Sequence, residues 1–339
     1  MHVSDRVENA GLQPAFMDYR ALGSRYGRLI DQFRMSRHVH AYLLSGPQGI
    51  GKLTFARYLS SLLFCESGSK PCGTCGQCVQ IAGGKHSSVT EVSPEKGKAI
   101  PIDRIRELIS LSSMHSLDGR ERIIIIEPME ALTPQAQNCL LKSLEEPDTN
   151  VLYFLLSHDP SSLLDTILSR CMVFKLAPWP NGVLTRTLRS LGYSQDRVER
   201  AAALSGGNVG EALSMLTEPA EGGREAILAQ IFGVKDARDA VRCSAALKDM
   251  AGSGDQVLFL MERYLQQCML VKAGLLQGEL LDNSPLAGLI RYASVQELAD
   301  LIDQVIQARK LKMSNVNWQS NADQLIFKLL EATSKWQKS

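Results

Sequence analysis

The sequence predicts an α/β layer fold built on a parallel sheet, followed by two helical domains. Three observations carry this. Strand-like and helix-like segments alternate from Ala41 to Leu176, the pattern of a sheet covered by helices on both faces. A glycine-rich turn, GPQGIGK (Gly46 to Lys52), joins the first such strand to the first such helix. After MVFKL (Met172 to Leu176) comes APWPNG, and beyond it only helical periodicity continues.

The elements follow in order. AYLLSG (Ala41 to Gly46) is a short apolar run ending in glycine, a buried strand. KLTFARYLSSLLFC (Lys52 to Cys65) spaces Leu53, Ala56, Leu59, Leu62 and Leu63 as a helix does. SSVTEVS (Ser87 to Ser93) alternates as a strand, and Pro101 to Met114 is an amphipathic helix. RIIII (Arg122 to Ile126) is the strongest strand, and its unbroken isoleucines fit a sheet buried on both faces. Pro134 to Glu146 is helical, with Thr133 as N-cap and Pro147 closing it. VLYFLLS (Val151 to Ser157) and MVFKL complete five strands. VLTRTLRSLG, QDRVERAAALS and VGEALSML make a small helical set, TEPAEGG (Thr217 to Gly223) a linker, and the remainder a larger helical domain. The expected domains are 1–177, 178–218 and 219–339.

Composition restricts function. The 339 residues are 45% hydrophobic and 22% charged, with net charge +1. Such a balance implies no global attraction to nucleic acid or membrane. No apolar run reaches the ~18–20 residues of a membrane span, and the start, MHVSDRVENA, is too polar for a secretory signal. A cytoplasmic protein is expected.

GPQGIGKLT nearly makes a phosphate-binding loop, which wants Gly, four residues, Gly, Lys, then Ser or Thr. Gly46, Gly49, Gly51 and Lys52 supply backbone N–H groups and a cation for phosphate. Leu53 stands where a hydroxyl holds Mg²⁺, and Thr54 is one residue late, turned by about 100° on a helix. The carboxylate strand, RIIII, ends in Glu127-Pro128-Met129-Glu130. Glu127 stands in for the metal-holding carboxylate, but Pro128 cannot orient an attacking water. ATP binding remains open on these residues; turnover is not expected.

Cys65, Cys72, Cys75 and Cys78, spaced C-x₆-C-x₂-C-x₂-C, suit tetrahedral zinc. An iron–sulfur cluster is the alternative. All four ligands would be protein, so the role is structural. His86, just beyond, reads as a loop residue.

The run NCLLKSLEEPDTNVLYFLLSHDPSSLLDTILSRC (Asn138 to Cys171), with HAYLLSGPQGIGK, the cysteine cluster and SPEKGKAIPIDRIREL, resembles the bacterial clamp-loader AAA+ family. The resemblance is clear from about Arg28 to Pro178 and weaker through GGNVGEAL and SNVNWQSNADQLIFKLLE. It implies a P-loop AAA+ domain, a small helical lid and an all-α collar for oligomerisation. It also favours zinc at the cysteines. It implies a hetero-pentamer with gamma/tau motor subunits and a delta subunit, acting on a sliding clamp and primer–template DNA. Through Ser169-Arg170-Cys171 it implies an arginine finger, Arg170, given in trans to a neighbouring ATPase. Without the surrounding match, Arg170 would read as a surface arginine paired with a local acid. Motor subunits carry a lid arginine where this chain has Gly210, and a threonine sensor where it has Ser157 or His158. The chain therefore resembles a non-hydrolysing member; an ATP-hydrolysing motor is the rival reading. In the tail, Asn315, Asn317 and Asn321 flank Trp318, as a capped helix start with a core Trp or as part of a collar interface.

Overall fold

The computed structural model describes residues 17–95, 98–115, 121–148, 150–217, 228, 230–234, 236–249, 254–274, 291–313 and 318–336. The chain separates into two compact units, Met1–Thr217 and Glu218–Ser339.

The first unit runs α1 (Ser24–Arg34), β1 (Ala41–Ser45), α2 (Lys52–Phe64), α3 (Gly76–Ala82), β2 (Val89–Val92), α4 (Ile102–His115), β3 (Arg122–Ile126), α5 (Pro134–Glu145), β4 (Val151–Ser157), α6 (Asp165–Leu168), β5 (Met172–Lys175), α7 (Asn181–Ser190), α8 (Gln195–Leu204) and α9 (Val209–Thr217). All five expected strands form one parallel sheet, ordered β2-β3-β4-β1-β5. The expected α/β architecture is present: a parallel sheet between helical layers, with helices following it.

Strand pleating explains the unbroken isoleucines. Successive side chains point to opposite faces, so Ile123 and Ile125 enter one core while Ile124 and Ile126 enter the other. Tyr42 and Leu44 share the first core with α1, α2 and the helices after the prolines. Leu43 shares the second with α4, α5 and α6. Three helices were not anticipated: α1, α3 and the short α6. α1 buries Tyr26, Leu29, Ile30 and Phe33, a spacing of three, one and three residues that is itself a helical signal. α3 starts inside the cysteine cluster, with Cys75 as N-cap.

The small helical set does not stand apart from the sheet. Leu184, Leu188, Val198, Ala212 and Leu213 belong to the same core as Phe55 and Phe174. Tyr19 is the joint, with its ring 4.7 Å from Phe55 and 5.7 Å from Trp179. The turn expected at residue 178 thus lies within one packed unit.

The second unit contains α10 (Ala237–Asp249), α11 (Gly254–Lys272), α12 (Val295–Met313) and α13 (Trp318–Trp336). Leu258, Met261, Leu265, Leu298, Val305, Ile326 and Leu329 lie in its core. Buried polar ties cross between helices: Asn321 Nδ2 donates to the Ala308 carbonyl at 2.6 Å, and Arg309 pairs with Glu262 at 2.7 Å. Asn321 thus ties two helices together rather than capping one. Asn315, Asn317 and the Trp318 side chain lie outside the described residues. Among the described residues no helix is long and apolar enough to cross a membrane.

Candidate functional site

The site sits outside the carboxyl ends of β1, β3 and β4, where ligands bind in open α/β sheets. Gly46 leaves β1 and donates to the Ser157 carbonyl at 3.1 Å. The loop then uses three left-handed glycines, with φ of 153° at Gly46, 80° at Gly49 and 94° at Gly51. Lys52 begins α2, as expected, but it does not face outward. Its Nζ donates to the loop's own carbonyls, Gly46 at 2.9 Å and Pro47 at 3.1 Å, and the residue is only 6% exposed. Burial lowers its pKa, while the Glu127 and Glu130 carboxylates act the other way. Leu53 packs against the first core instead of offering a hydroxyl.

The lid closes on the loop. Gly210, in the first turn of α9, donates its N–H to the Gly49 carbonyl at 2.8 Å. Asn208 caps that helix, accepting from Glu211 N at 3.1 Å, and sends Nδ2 to the Gln48 carbonyl at 2.7 Å. No side chain fits between them. A Cβ on Gly210 would lie 2.9 Å from the Gly49 oxygen, and a Cβ on Gly49 would lie 2.7 Å from Asn208 Oδ1. Gly210 is therefore a close-approach glycine and not simply a missing arginine.

The two carboxylates after β3 have opposite environments. Burial raises the pKa of Glu127, with Lys52 opposing. Burial would also raise Glu130, but its hydrogen-bond partners outweigh it and hold the group down to about 2. Glu130 Oε1 accepts from Ser157 Oγ at 2.6 Å and from the N–H groups of His158 and Asp159 at 2.8 and 2.7 Å. Glu130 Oε2 lies 3.3 Å from His158 Nδ1. Ser157 and His158, the sensor candidates, are thus both engaged by Glu130.

Arg170 lies on the other side of the molecule's chemistry, after α6 and against α5. Its Nη2 pairs with Glu145 at 2.6 Å, and its Nη1 donates to the Thr166 carbonyl at 2.9 Å and to Ser169 Oγ at 3.2 Å. The side chain is one-third exposed. Ser169 Oγ donates to the Thr166 carbonyl at 3.1 Å. Burial pushes the Cys171 thiol up to about 12, so it is a neutral packing group.

The four clustered cysteines come together, with ligand sulfurs all within 4.8 Å of one another. Cys65 and Cys75 sulfurs are 4.0 Å apart, close to the ~3.8 Å edge of a tetrahedron with Zn–S near 2.3 Å. The N–H of Cys72 points at Cys65 Sγ (3.4 Å) and that of Cys75 at Cys72 Sγ (3.3 Å). Such amide donors favour thiolates, and those of Cys75 and Thr74 draw Cys72 down to about 6. Burial pushes Cys78 up to about 12, an effect that a bound cation reverses. The donor set and spacing fit a tetrahedral metal ion. His86 is not a fifth ligand: Nε2 meets Gln77 Oε1 at 2.7 Å and Nδ1 accepts from Ser88 N at 3.1 Å.

The family described as DNA polymerase III, delta subunit, matches residues 24–180. The DNA polymerase III subunit delta' of Pseudomonas aeruginosa is 38% identical over 181 residues, covering 51% of this chain and 54% of that one. The Escherichia coli subunit delta' is 33% identical over 201 residues, covering 58% and 60%. The Escherichia coli subunit tau is 30% identical over 245 residues, covering 70% of this chain and 36% of that one. The chain thus spans little more than half the length of the delta' relatives it matches. A solved gamma subunit-related protein of Thermotoga maritima aligns with 90% of this chain and 99% of its own, at 16% identity and TM-score 0.49.

The delta-subunit segment ends at Pro180, so α7, α8 and α9 lie beyond it. Yet α9 supplies the groups that close the loop. Asn208 was legible as a cap, since Asn before an apolar helical run is an N-cap signal. Its second bond, to Gln48, has no local signal; nor have the roles of Glu130 and Glu145.

Three outcomes are expected. Gly210→Leu keeps helix propensity but cannot fit against Gly49, so its unfolding free energy in urea falls by ~1–3 kcal/mol. Glu130→Gln is less stable than the parent at neutral pH. A carboxylate with a depressed pKa stabilises above its unfolded value of about 4.3 and loses that contribution as pH falls towards about 2. The gap between the two proteins therefore closes over that window in acid titrations followed by circular dichroism. Native mass spectrometry finds one zinc per chain. Its removal by chelator lowers the thermal midpoint and re-addition restores it, whereas visible charge-transfer absorption would indicate an iron–sulfur cluster instead.

Proposed function

We propose that this chain is a delta-prime-type subunit of the DNA polymerase III clamp loader that does not hydrolyse ATP. It serves as a stator and presents Arg170 in trans to a neighbouring ATPase subunit. Its partners are gamma/tau motor subunits and a delta subunit in a hetero-pentamer, with the sliding clamp and primer–template DNA reached through that complex in the cytoplasm. The zinc site, Cys65, Cys72, Cys75 and Cys78, is structural, since a fourth protein sulfur leaves no open position for chemistry.

One observation carries the stator reading: the lysine that would meet phosphate donates instead to Gly46 and Pro47. The lid hydrogen bond from Gly210 to Gly49 supports it, as does Leu53 packed against the core. Pro128 in place of a water-orienting carboxylate points the same way. Arg170 needs none of these parts. A trans guanidinium stabilises charge on the transferring phosphoryl group and is worth roughly 10³–10⁵ in rate in other systems.

Similarity to subunit tau over 70% of this chain favours one rival, an ATP-hydrolysing motor. The two readings separate in one set of assays. The purified chain alone is expected to show no magnesium-dependent turnover. In a reconstituted loader, Arg170→Ala is expected to lower DNA-stimulated turnover by ~10-fold or more while assembly by gel filtration is unchanged. Turnover by the isolated chain that disappears in Lys52→Ala would favour the motor.

A further inference from the structure

We infer that Glu145 is a positioning residue for Arg170, holding the guanidinium so that its remaining N–H donors face an incoming anion. The inference rests on the trans role proposed for Arg170 and deepens it.

The donor arithmetic comes first. An arginine carries five N–H donors in a fixed plane. Three are engaged: one by Glu145 Oε1, one by the Thr166 carbonyl and one by Ser169 Oγ. Among the described residues the other two have no acceptor. A guanidinium fixed by three bonds with two donors left over is a preorganised anion contact. The charge-assisted bond to Glu145 is the shortest of the three at 2.6 Å, and it joins the arginine to a different helix.

That helix pins the whole segment. At its first turns, Gln137, only 6% exposed, accepts from Leu164 N at 3.2 Å. At its last residue Glu145 takes Arg170. The chain from Leu164 to Arg170 is therefore tied at both ends to α5. The position of Glu145 also calls for a reason. A carboxylate on the last residue of a helix meets the negative end of the dipole and opposes helix stability. Its neighbour Glu146 has no side-chain partner among the described residues, so the local sequence does not dictate the pairing.

A carboxylate beside a finger also lowers its net charge. A nucleotide triphosphate carries more negative charge than one carboxylate, so competition is the opposite hypothesis, and the amide isostere separates the two. Glutamine keeps an acceptor oxygen and removes the charge. If Glu145 orients Arg170, glutamine substitutes for it; if Glu145 restrains Arg170, glutamine releases it and the rate rises.

The test is ATP turnover by the clamp loader reconstituted with the full chain and primed DNA, with incorporation of each variant checked by gel filtration. Arg170→Ala is expected to lose most. Glu145→Ala is expected to lower kcat about tenfold, as small misplacements of a reacting group do, with KM for ATP unchanged within about twofold. Glu145→Gln is expected to recover most of the rate, Glu146→Ala to match the parent, and Glu145→Ala with Arg170→Ala to be no slower than Arg170→Ala alone. Glu145→Ser provides a second truncation if the alanine variant fails to incorporate. A Glu145→Ala rate equal to or above the parent overturns the inference, as does a Glu145→Gln rate as low as that of Glu145→Ala. A parental rate from Arg170→Ala overturns the trans role, and the positioning role with it.

Discussion

A phosphate-binding loop depends on leaving polar groups unpaired until an anion arrives. Its backbone N–H groups and its lysine must be cheap to redirect. Here the lysine and several of the loop's carbonyls are paired within the chain. Lys52 donates to Gly46 and Pro47, and Gly49 and Gln48 carbonyls receive hydrogen bonds from the lid. Leu53, where the motif has a hydroxyl, packs instead against the first core. The loop links β1 to α9, and Gly49 and Gly210 meet where a Cβ would collide.

That joint explains how the two helical layers divide the labour. The loop, the lid and the aromatic cluster of Tyr19, Phe55 and Trp179 belong to the first core. The helix carrying Glu145 and the segment carrying Arg170 pack into the second. The sheet separates them, with alternate isoleucines of β3 serving each. α5 and α6 rest on strands whose other face is filled by the first core.

Much of this was legible in sequence and some was not, for physical reasons. The strands were readable because burial on both faces forces unbroken apolar runs, as in RIIII and VLYFLLS. The cysteine cluster was readable because its four sulfurs come from a short stretch of chain, Cys65 to Cys78. α1 was readable and passed over, though Tyr26, Leu29, Ile30 and Phe33 mark one face. α3 was hidden by its glycine and two cysteines, which read as turns. The fate of Lys52 was not readable at all. A lysine bonded to phosphate and a lysine bonded to loop carbonyls have the same sequence, and only the folded loop shows the Gly46 and Pro47 acceptors. Glu130 and Glu145 share that limit, since their partners lie 27 and 25 residues away in sequence.

Partner counting separates the arginines of this unit in a way that exposure does not. Arg57 is bound by both Glu91 oxygens at 2.8 Å and donates to the Ala82 carbonyl at 3.1 Å. Its fork is occupied by a carboxylate in the bidentate geometry that phosphate would use, and its side chain is 8% exposed. It ties α2 to β2 and has no capacity for a ligand. Arg170 also has an acidic partner, which by itself would place it in the same class. The difference is that Glu145 takes it through one nitrogen, from one side, and the other contacts come from the turn that carries it. An ion pair that fills the fork makes an arginine structural. One that occupies an edge, as Glu145 does at Arg170, leaves donors for a further acceptor.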